Sequence, residues 1–183
     1  MRKSITLIEL LVSLVLIGVV ILVVFGIYNA SSGFFTSSST KSEVLNEMAY
    51  LLDHIDKNVF LATGWVNNPA VTVVNPGANQ FQININQDTN ETPIDFSDDT
   101  TVLYLFDTGA NTVTFQGNLL TNKLIQHPDP AESLTINYNV TDGVLTIDNL
   151  CFRHDPARPA DPSNNPEICI TGQHFSTSMQ SLN

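Results

Sequence analysis

The chain has 183 residues, of which 43% are hydrophobic, and its formal net charge is −11 at pH 7. This length fits one domain with an appendage and argues against two full domains. From Asn58 onward the sequence has 13 acidic residues but only three basic ones, Lys123, Arg153 and Arg158. Without a basic surface the folded domain lacks the usual source of nucleic-acid affinity, so we expect no nucleic-acid partner.

A basic N-terminal segment precedes a long apolar one. Arg2 and Lys3 come before an apolar run from Leu10 to Ile27. As a helix this run is about 27 Å long, which is enough to span the core of a bilayer. The positive-inside rule places the N-terminus in the cytoplasm and exports the rest of the chain. A cleaved secretory signal is the alternative, and Ala30 lies at a weak candidate site for it.

One carboxylate lies at the start of this apolar segment. Glu9 is the only ionised side chain between Lys3 and Lys41. A charged group inside a membrane segment is costly, so Glu9 needs a dedicated partner. It either forms an ion pair with another subunit or belongs to a simple membrane anchor whose carboxylate reaches the cytoplasmic interface.

The start of the chain carries a recognisable motif. Its residues are, in order, Lys3-Ser4-Ile5-Thr6-Leu7-Ile8-Glu9-Leu10-Leu11-Val12-Ser13. This string closely resembles the class III signal and first helical turns of type IV pilins and type II secretion pseudopilins. The resemblance implies that a prepilin peptidase cuts between Ser4 and Ile5 and that the new N-terminus is methylated. Ser4 departs from the family pattern, which usually has Gly before the cut.

Such a cut would create a partner for Glu9. It leaves a cationic α-amine at Ile5, one helical turn from Glu9, and stacked helices with an axial offset can bring the amine of one subunit to Glu9 of another. The resemblance implies a structural, non-enzymatic subunit of a type IV pilus or type II secretion pseudopilus. Other subunits, the prepilin peptidase and the inner-membrane assembly platform are its implied partners. Segments 51–62 and 136–145 more loosely resemble minor pilins and J-type pseudopilins.

The resemblance also implies a location. The subunit would cross the bacterial inner membrane once before assembly, and then enter an extracellular pilus or a periplasmic pseudopilus. An adhesin or binding module, displayed on a pilus or on a single membrane anchor, is the alternative function.

The segment after the apolar run has two parts that differ in composition and periodicity. Residues 31–40 are rich in Ser and Thr and predict a bend or flexible point. Helical periodicity then returns, with one apolar stripe that predicts a face packed on a sheet. The stripe contains Val44, Met48, Leu51, Leu52, Ile55 and Val59. Asp53 and Lys57 should form a helical pair, and Gly64 should end the helix in a left-handed conformation.

From Trp65 onward the period changes to two, which is typical of strands. Residues 81–86 alternate apolar and polar, and residues 102–106 predict a central strand that forms a hairpin with 112–115. A second hairpin is predicted around Asp142 and Gly143, in a two-residue type I′ turn.

These patterns predict an α+β fold, with one long N-terminal helix packed on an antiparallel sheet as in pilins. The predicted parts are a leader at 1–4, a membrane and filament-core helix at 5–30, the amphipathic half of the helix at 31–64, and a β-rich domain at 65–183.

The two cysteines, Cys151 and Cys169, lie near the C-terminus. In an exported chain they predict one disulfide, and they offer too few ligands for a zinc site. The proline-rich loop of residues 152–168 lies between them, and the disulfide should keep it compact. The loop is either a contact surface or an exposed stapled loop.

The sequence contains no recognisable catalytic or phosphate-binding motif, so we expect neither enzyme activity nor a cofactor. His54 is expected at the surface or at the boundary of the core. Calcium is a minor alternative at two acidic sets, whose residues show no ordered ligand spacing. The sets are Asp95, Asp98 and Asp99, and Asp155, Asp161 and Glu167.

Overall fold

A computed structural model describes residues 7–64, 68–88, 99–127, 129–162 and 164–177. Its first element is a single helix, α1, which runs from Leu7 to Phe60. The described residues after it form strands and one short 3₁₀ turn, Pro130–Glu132. Helix and antiparallel strands together confirm the predicted α+β class.

The strands form three antiparallel sheets within the described residues. The first sheet has the order β1-β2-β3-β4-β5, the second β10-β9-β6 and the third β11-β8-β7. The strands are β1 Val71–Gly77, β2 Gln80–Gln87, β3 Thr100–Asp107, β4 Thr112–Phe115, β5 Asn118–Thr121, β6 Leu124–Ile125, β7 Thr135–Asn139, β8 Val144–Asp148, β9 Leu150–Arg153, β10 Glu167–Ile170 and β11 Gln173–Ser176. The sequence predicted one sheet, whereas the short β6 pairs with β9 instead of extending the first sheet.

The predicted bend at residues 31–40 is wrong, because α1 continues through them without interruption. The hydroxyl of Ser32 donates to the carbonyl of Asn29 at 3.0 Å, and that of Thr36 to the carbonyl of Ser32 at 3.0 Å. Thr40 donates to the carbonyl of Thr36 at 3.1 Å. These bonds to the preceding turn satisfy the hydroxyls inside the helix, so the weak helix formers do not end it.

Burial divides α1 into two halves. Every large hydrophobic side chain from Leu7 to Tyr28 is at least 53% exposed. The second half buries the predicted stripe, with Leu52 packed at its edge; the buried residues are Val44, Met48, Leu51, Ile55 and Val59. They pack in one core with residues from all three sheets, among them Ile83, Phe152 and Leu145. The predicted packing face is confirmed.

The end of α1 differs from the prediction. The helix ends at Phe60, and Gly64 is not among the residues with positive φ, so the predicted left-handed terminator is wrong. The backbone N–H of Thr63 donates to the carbonyl of Asn86 at 2.9 Å, so the chain already contacts strand β2 at this point. A Cβ at Gly64 would lie 2.0 Å from the backbone nitrogen of Ala70. Glycine is required there by close backbone approach.

The two predicted hairpins have different outcomes. Residues 102–106 lie in β3, the central strand of the first sheet, and β3 forms the predicted hairpin with β4. In the second hairpin Asn139 pairs with Val144, so the loop contains residues 140–143. Gly143 has φ 64° while Asp142 has no positive φ, so a two-residue type I′ turn is wrong. The Asn139 side chain accepts the backbone N–H of Thr141 and starts the turn earlier.

Candidate functional site

The first candidate site is the exposed half of α1. By length and composition α1 is the one helix in the described residues that could cross a membrane. Glu9 lies near its start, and the Ser13 hydroxyl donates to the Glu9 backbone carbonyl at 2.7 Å. The predicted cleavage residues, Ser4 and Ile5, lie outside the described residues. The site is therefore an exposed apolar helix with a carboxylate near one end.

A second polar site holds the helix where its burial begins. We call it the lysine cluster: Lys123, Glu43, Glu47, Thr121 and His154. The Lys123 side chain is only 7% exposed, and its ammonium group donates to Glu43 and, at 2.9 Å, pairs with Glu47. The Thr121 hydroxyl donates to the other Glu47 oxygen at 2.7 Å, and His154 Nδ1 lies 3.4 Å from Glu43 Oε2.

The charges in the lysine cluster support each other. The hydrogen bond from Lys123 holds the pKa of Glu43 below its ordinary value, against a smaller opposing effect of burial. Burial lowers the pKa of Lys123, but the hydrogen bonds and charges of the two glutamates outweigh it, so the net pKa is raised. The lysine stays charged and links α1 to the connection between β5 and β6.

Sequence reasoning did not find this cluster. Glu43 and Glu47 lie outside the apolar stripe, and their spacing of four puts them on one side of the helix. Lys123 lies 80 residues from Glu43 in sequence. No local pattern brings them together, so only the tertiary fold identifies the pair.

A third polar site joins the C-terminal end of α1 to the first sheet. His54, predicted at the surface or at the core boundary, is half-buried, and its Nδ1 lies 2.6 Å from the Tyr104 hydroxyl. Asn58 donates to the same hydroxyl at 2.8 Å, and that hydroxyl lies 3.0 Å from the backbone carbonyl of His54 and donates to it. Burial raises the pKa of Tyr104 well above its ordinary range, so the phenol stays neutral. These bonds fix how the helix sits on β3.

The C-terminal loop is bounded as predicted. Cys151 and Cys169 form a disulfide between directly paired residues of β9 and β10. Next to it, Arg153 donates to Glu167 through both Nε, at 3.2 Å, and Nη2. Ser37 on α1 also donates to the carbonyl of Pro162 at 3.1 Å, so the loop contacts the helix.

The loop is organised around one amide, which the sequence did not reveal. Asn165 is 5% exposed, and its Nδ2 donates to the carbonyls of Asp155 at 2.9 Å, Arg158 at 3.2 Å and Pro159 at 2.9 Å. Its Oδ1 accepts the backbone N–H of Asp155 at 2.7 Å. The disulfide therefore closes the base of the loop, while Asn165 holds its interior.

This arrangement does not support calcium in the loop. The carbonyls that could bind a cation face the Asn165 amide, and the Glu167 carboxylate is paired with Arg153. Asp155 is paired with Arg158 at 3.1 Å. Of the other acidic set, Asp95 and Asp98 lie outside the described residues.

One group of metal-binding side chains is close together in the described part of the chain. The donor atoms of His127, Cys151 and Cys169 all lie within 4.8 Å of one another. The two sulfurs are bonded to each other in the disulfide. No local pattern links His127 to the cysteines, because it lies 24 residues before Cys151 with no repeated ligand spacing.

Scans against protein-family models, curated proteins and solved structures return no match for this chain.

Removing both carboxylates of the lysine cluster should destabilise the protein strongly. We expect Glu43→Gln with Glu47→Gln to cost about 3 kcal/mol, because the buried Lys123 ammonium loses both counterions. Each single substitution should cost less, since one carboxylate remains. Urea denaturation of the full chain in detergent, followed by near-UV circular dichroism, measures this free energy.

The stability difference between these variants and the wild type should depend on pH. A carboxyl whose pKa is lowered by folding stabilises the native state above its unfolded pKa, and this stability is lost as pH falls through the folded pKa. The wild type should lose its advantage over Glu43→Gln below the ordinary Glu value of 4.5. The control is Asp53→Asn, which removes an exposed pair with Lys57 and should change little. Equal stability of the double variant and the control would contradict the assignment.

Changing the central amide of the loop to a carboxylate should open the loop. Asn165→Asp loses the Nδ2 donor and faces three carbonyls with a negative charge, so we expect cleavage within residues 152–168 to rise at least about tenfold. Limited proteolysis with a broad-specificity protease, read by mass spectrometry after reduction, measures the rate. Asn164→Asp adds the same charge at an exposed neighbour whose only described side-chain contact is 3.5 Å long, and should leave the rate near that of the wild type. Equal rates for the two variants would show that Asn165 does not hold the loop.

Proposed function

We propose that this chain is a structural subunit of a filament of the type IV pilus or type II secretion pseudopilus class. The observation that supports it best is the division of α1, a 54-residue helix whose first half is exposed and whose second half is buried against sheets. A helix divided in this way can join its neighbours through one half while the other half holds its own domain.

The exposed half needs a covering environment. The apolar surface from Leu10 to Tyr28 is unfavourable in water, so it requires either lipid or other protein surfaces. A bilayer provides the first before assembly, and helices of other copies provide the second in a filament. Gly18 and Gly26 leave open space on this half, and small residues let helices approach closely.

Glu9 supplies the register between copies in this proposal. Cleavage after Ser4 puts a charged amine at Ile5, four residues before Glu9. An axial shift of about 6 Å between neighbouring helices then aligns the amine of one copy with Glu9 of the next. In apolar surroundings such a pair selects one register, because separating the partners strands a charge at a cost of about 3–5 kcal/mol.

The polar contacts of the folded domain fit a structural role. The lysine cluster and the His54–Tyr104 contact both connect α1 to strands, so they transmit the position of the helix to the domain. We place the subunit in the bacterial inner membrane before assembly, processed by the prepilin peptidase and mounted by the assembly platform. The loose resemblance of segments 51–62 and 136–145 favours a minor or initiating subunit.

Replacing the carboxylate of Glu9 should block assembly without harming the domain. We expect Glu9→Val to lower incorporation into filaments at least about tenfold, since the incoming amine loses its counterion. Valine also suits a membrane segment, so simple anchoring should be kept or improved. Quantitative blotting of sheared or affinity-purified filaments against the membrane fraction measures incorporation, and protease resistance of the disulfide-bonded domain reports folding.

A matched control lies on the same helix. Asp56→Asn also removes one carboxylate from α1, at an exposed position of the half held by the sheets, and should incorporate normally. Normal incorporation of Glu9→Val would contradict the proposed pairing and favour a single membrane anchor. Loss of incorporation in both variants would show that the effect is not specific to Glu9.

A further inference from the structure

The hairpin between β7 and β8 carries a short motif that the proposed filament role does not use. Asn139, Val140 and Thr141 form an Asn-x-Thr triplet whose middle residue is not proline. Such a triplet is the acceptor sequence for N-linked sugars, and it is used in surface loops of exported proteins. Whether a given triplet can be used depends on its exposure and its backbone.

The structure distinguishes this triplet from the others in the chain. Triplets of the same kind start at Asn29 and at Asn90. Asn29 lies inside the continuous helix α1, where its backbone carbonyl accepts the Ser32 hydroxyl at 3.0 Å. A helical triplet is unlike the surface loops in which the motif is used. Asn90 lies outside the described residues. Asn139 is therefore the described triplet that lies at a turn.

The Asn139 triplet lies on the surface of the domain. Asn139 is the last residue of β7, and Val140 and Thr141 follow it in the loop of residues 140–143. All three residues of the triplet are exposed. The loop is anchored at its end, because the backbone N–H of Thr177 donates to the carbonyl of Gly143 at 2.9 Å. A modifying enzyme can thus reach the amide without unfolding the domain.

Hydrogen bonds orient the Asn139 amide and favour its reaction. Its Oδ1 accepts the backbone N–H of Thr141 at 3.0 Å, and one hydrogen of Nδ2 is donated to Asp142 Oδ2 at 2.5 Å. An amide nitrogen is a weak nucleophile, because its lone pair is delocalised into the carbonyl. The bond to Oδ1 stabilises negative charge on that oxygen, and the Asp142 carboxylate attracts the amide proton. Both contacts therefore favour loss of a proton from Nδ2.

We propose that Asn139 is an acceptor for an N-linked sugar. The donor is a sugar carried on a lipid pyrophosphate, and a membrane-bound transferase brings it to the exported domain. Nδ2 bonds to C1 of the sugar, the bond from C1 to the phosphate oxygen breaks, and the lipid pyrophosphate leaves. Nδ2 gives one proton to a base of the transferase, and no electrons are exchanged. The inference shares with the proposed function only the export of the domain.

The position of Asn139 gives the sugar a protective role. β7 is an edge strand of the third sheet, and its residues Thr135 and Asn137 are exposed as well. Edge strands can pair with strands of other chains, which leads to aggregation. A bulky and soluble group at the end of β7 hinders such pairing.

Mass spectrometry of the full chain, isolated from the membranes of the cells that naturally produce it, tests the proposal. Trypsin cleaves the denatured and alkylated chain after Lys123 and Arg153, so Asn139 and Asn90 are on different peptides. We expect the peptide of residues 124–153 to carry the added mass of at least one sugar. Fragmentation that preserves the sugar linkage should place it on Asn139.

Variants of the triplet make the test specific. Thr141→Ala should abolish the modification, because the hydroxyl is part of the acceptor motif, whereas Thr141→Ser should keep it. Asn137→Gln is the matched control, because it removes an exposed amide of the same strand that starts no triplet. It should leave the modification unchanged.

Two results would overturn the proposal: an unmodified peptide 124–153 in the wild type, or equal modification of the wild type and Thr141→Ala. Alkylation of Cys151 and Cys169 before reduction reports export separately, because their disulfide forms outside the cytoplasm. An unmodified peptide from a disulfide-bonded chain contradicts the sugar site alone. An unmodified peptide from a chain with free thiols also contradicts the export that the proposed function requires.

Discussion

The packing of one helix half against three sheets is the interaction on which the rest of the structure depends. Val44, Leu51 and Val59 lie fully buried on α1, and each of the three sheets contributes to the same core. The sheets share no strand, and α1 packs against a strand of each of them, while the first and third sheets also touch through β1 and β7. This stripe begins at Val44, and the apolar surface before it is left for a second environment outside the domain. One half of α1 thus packs within the domain of its own chain, and the other half needs contacts from outside the chain.

Polar contacts at both ends of the buried stripe make this packing specific. Apolar burial has little directional preference, whereas hydrogen bonds and ion pairs fix distance and orientation. The lysine cluster lies where the stripe begins, and the contact of His54 with Tyr104 lies near the C-terminal end of the stripe. Between them they fix the rotation and axial position of the domain on α1. In a filament, the position of each domain would follow from the register of its helix through these contacts.

The sequence predicted the features that depend on local periodicity. The apolar stripe, the central strand β3 and the first hairpin follow from spacings of three to four and of two. The disulfide was predicted from two cysteines in a chain that we expected to be exported. The bend at residues 31–40 failed because hydroxyl groups can bond to the preceding turn, which propensity alone does not show. The turn at Asp142 failed because the Asn139 side chain competes for the backbone.

The sites were less accessible to sequence reasoning because they join distant segments. Glu9 was identified, since a charge in an apolar run is visible locally. Lys123 was not identified, because only the tertiary fold brings it to its partners on α1. Asn165 was not identified either, because no sequence pattern marks which polar residue of a loop will bond the loop's own carbonyls. Asn165 in particular reads as an ordinary polar loop residue, although it holds three carbonyls in place.

The central claim is that processing creates the partner of Glu9, and the N-terminus of the mature chain tests it most directly. Intact mass and N-terminal sequencing of the protein isolated from membranes should show loss of residues 1–4 and a methylated amine on Ile5. A retained Met1 would contradict the account, because Glu9 would then have no adjacent amine of this kind to pair with. A new N-terminus next to Ala30 would also contradict it, because the cut would remove Glu9.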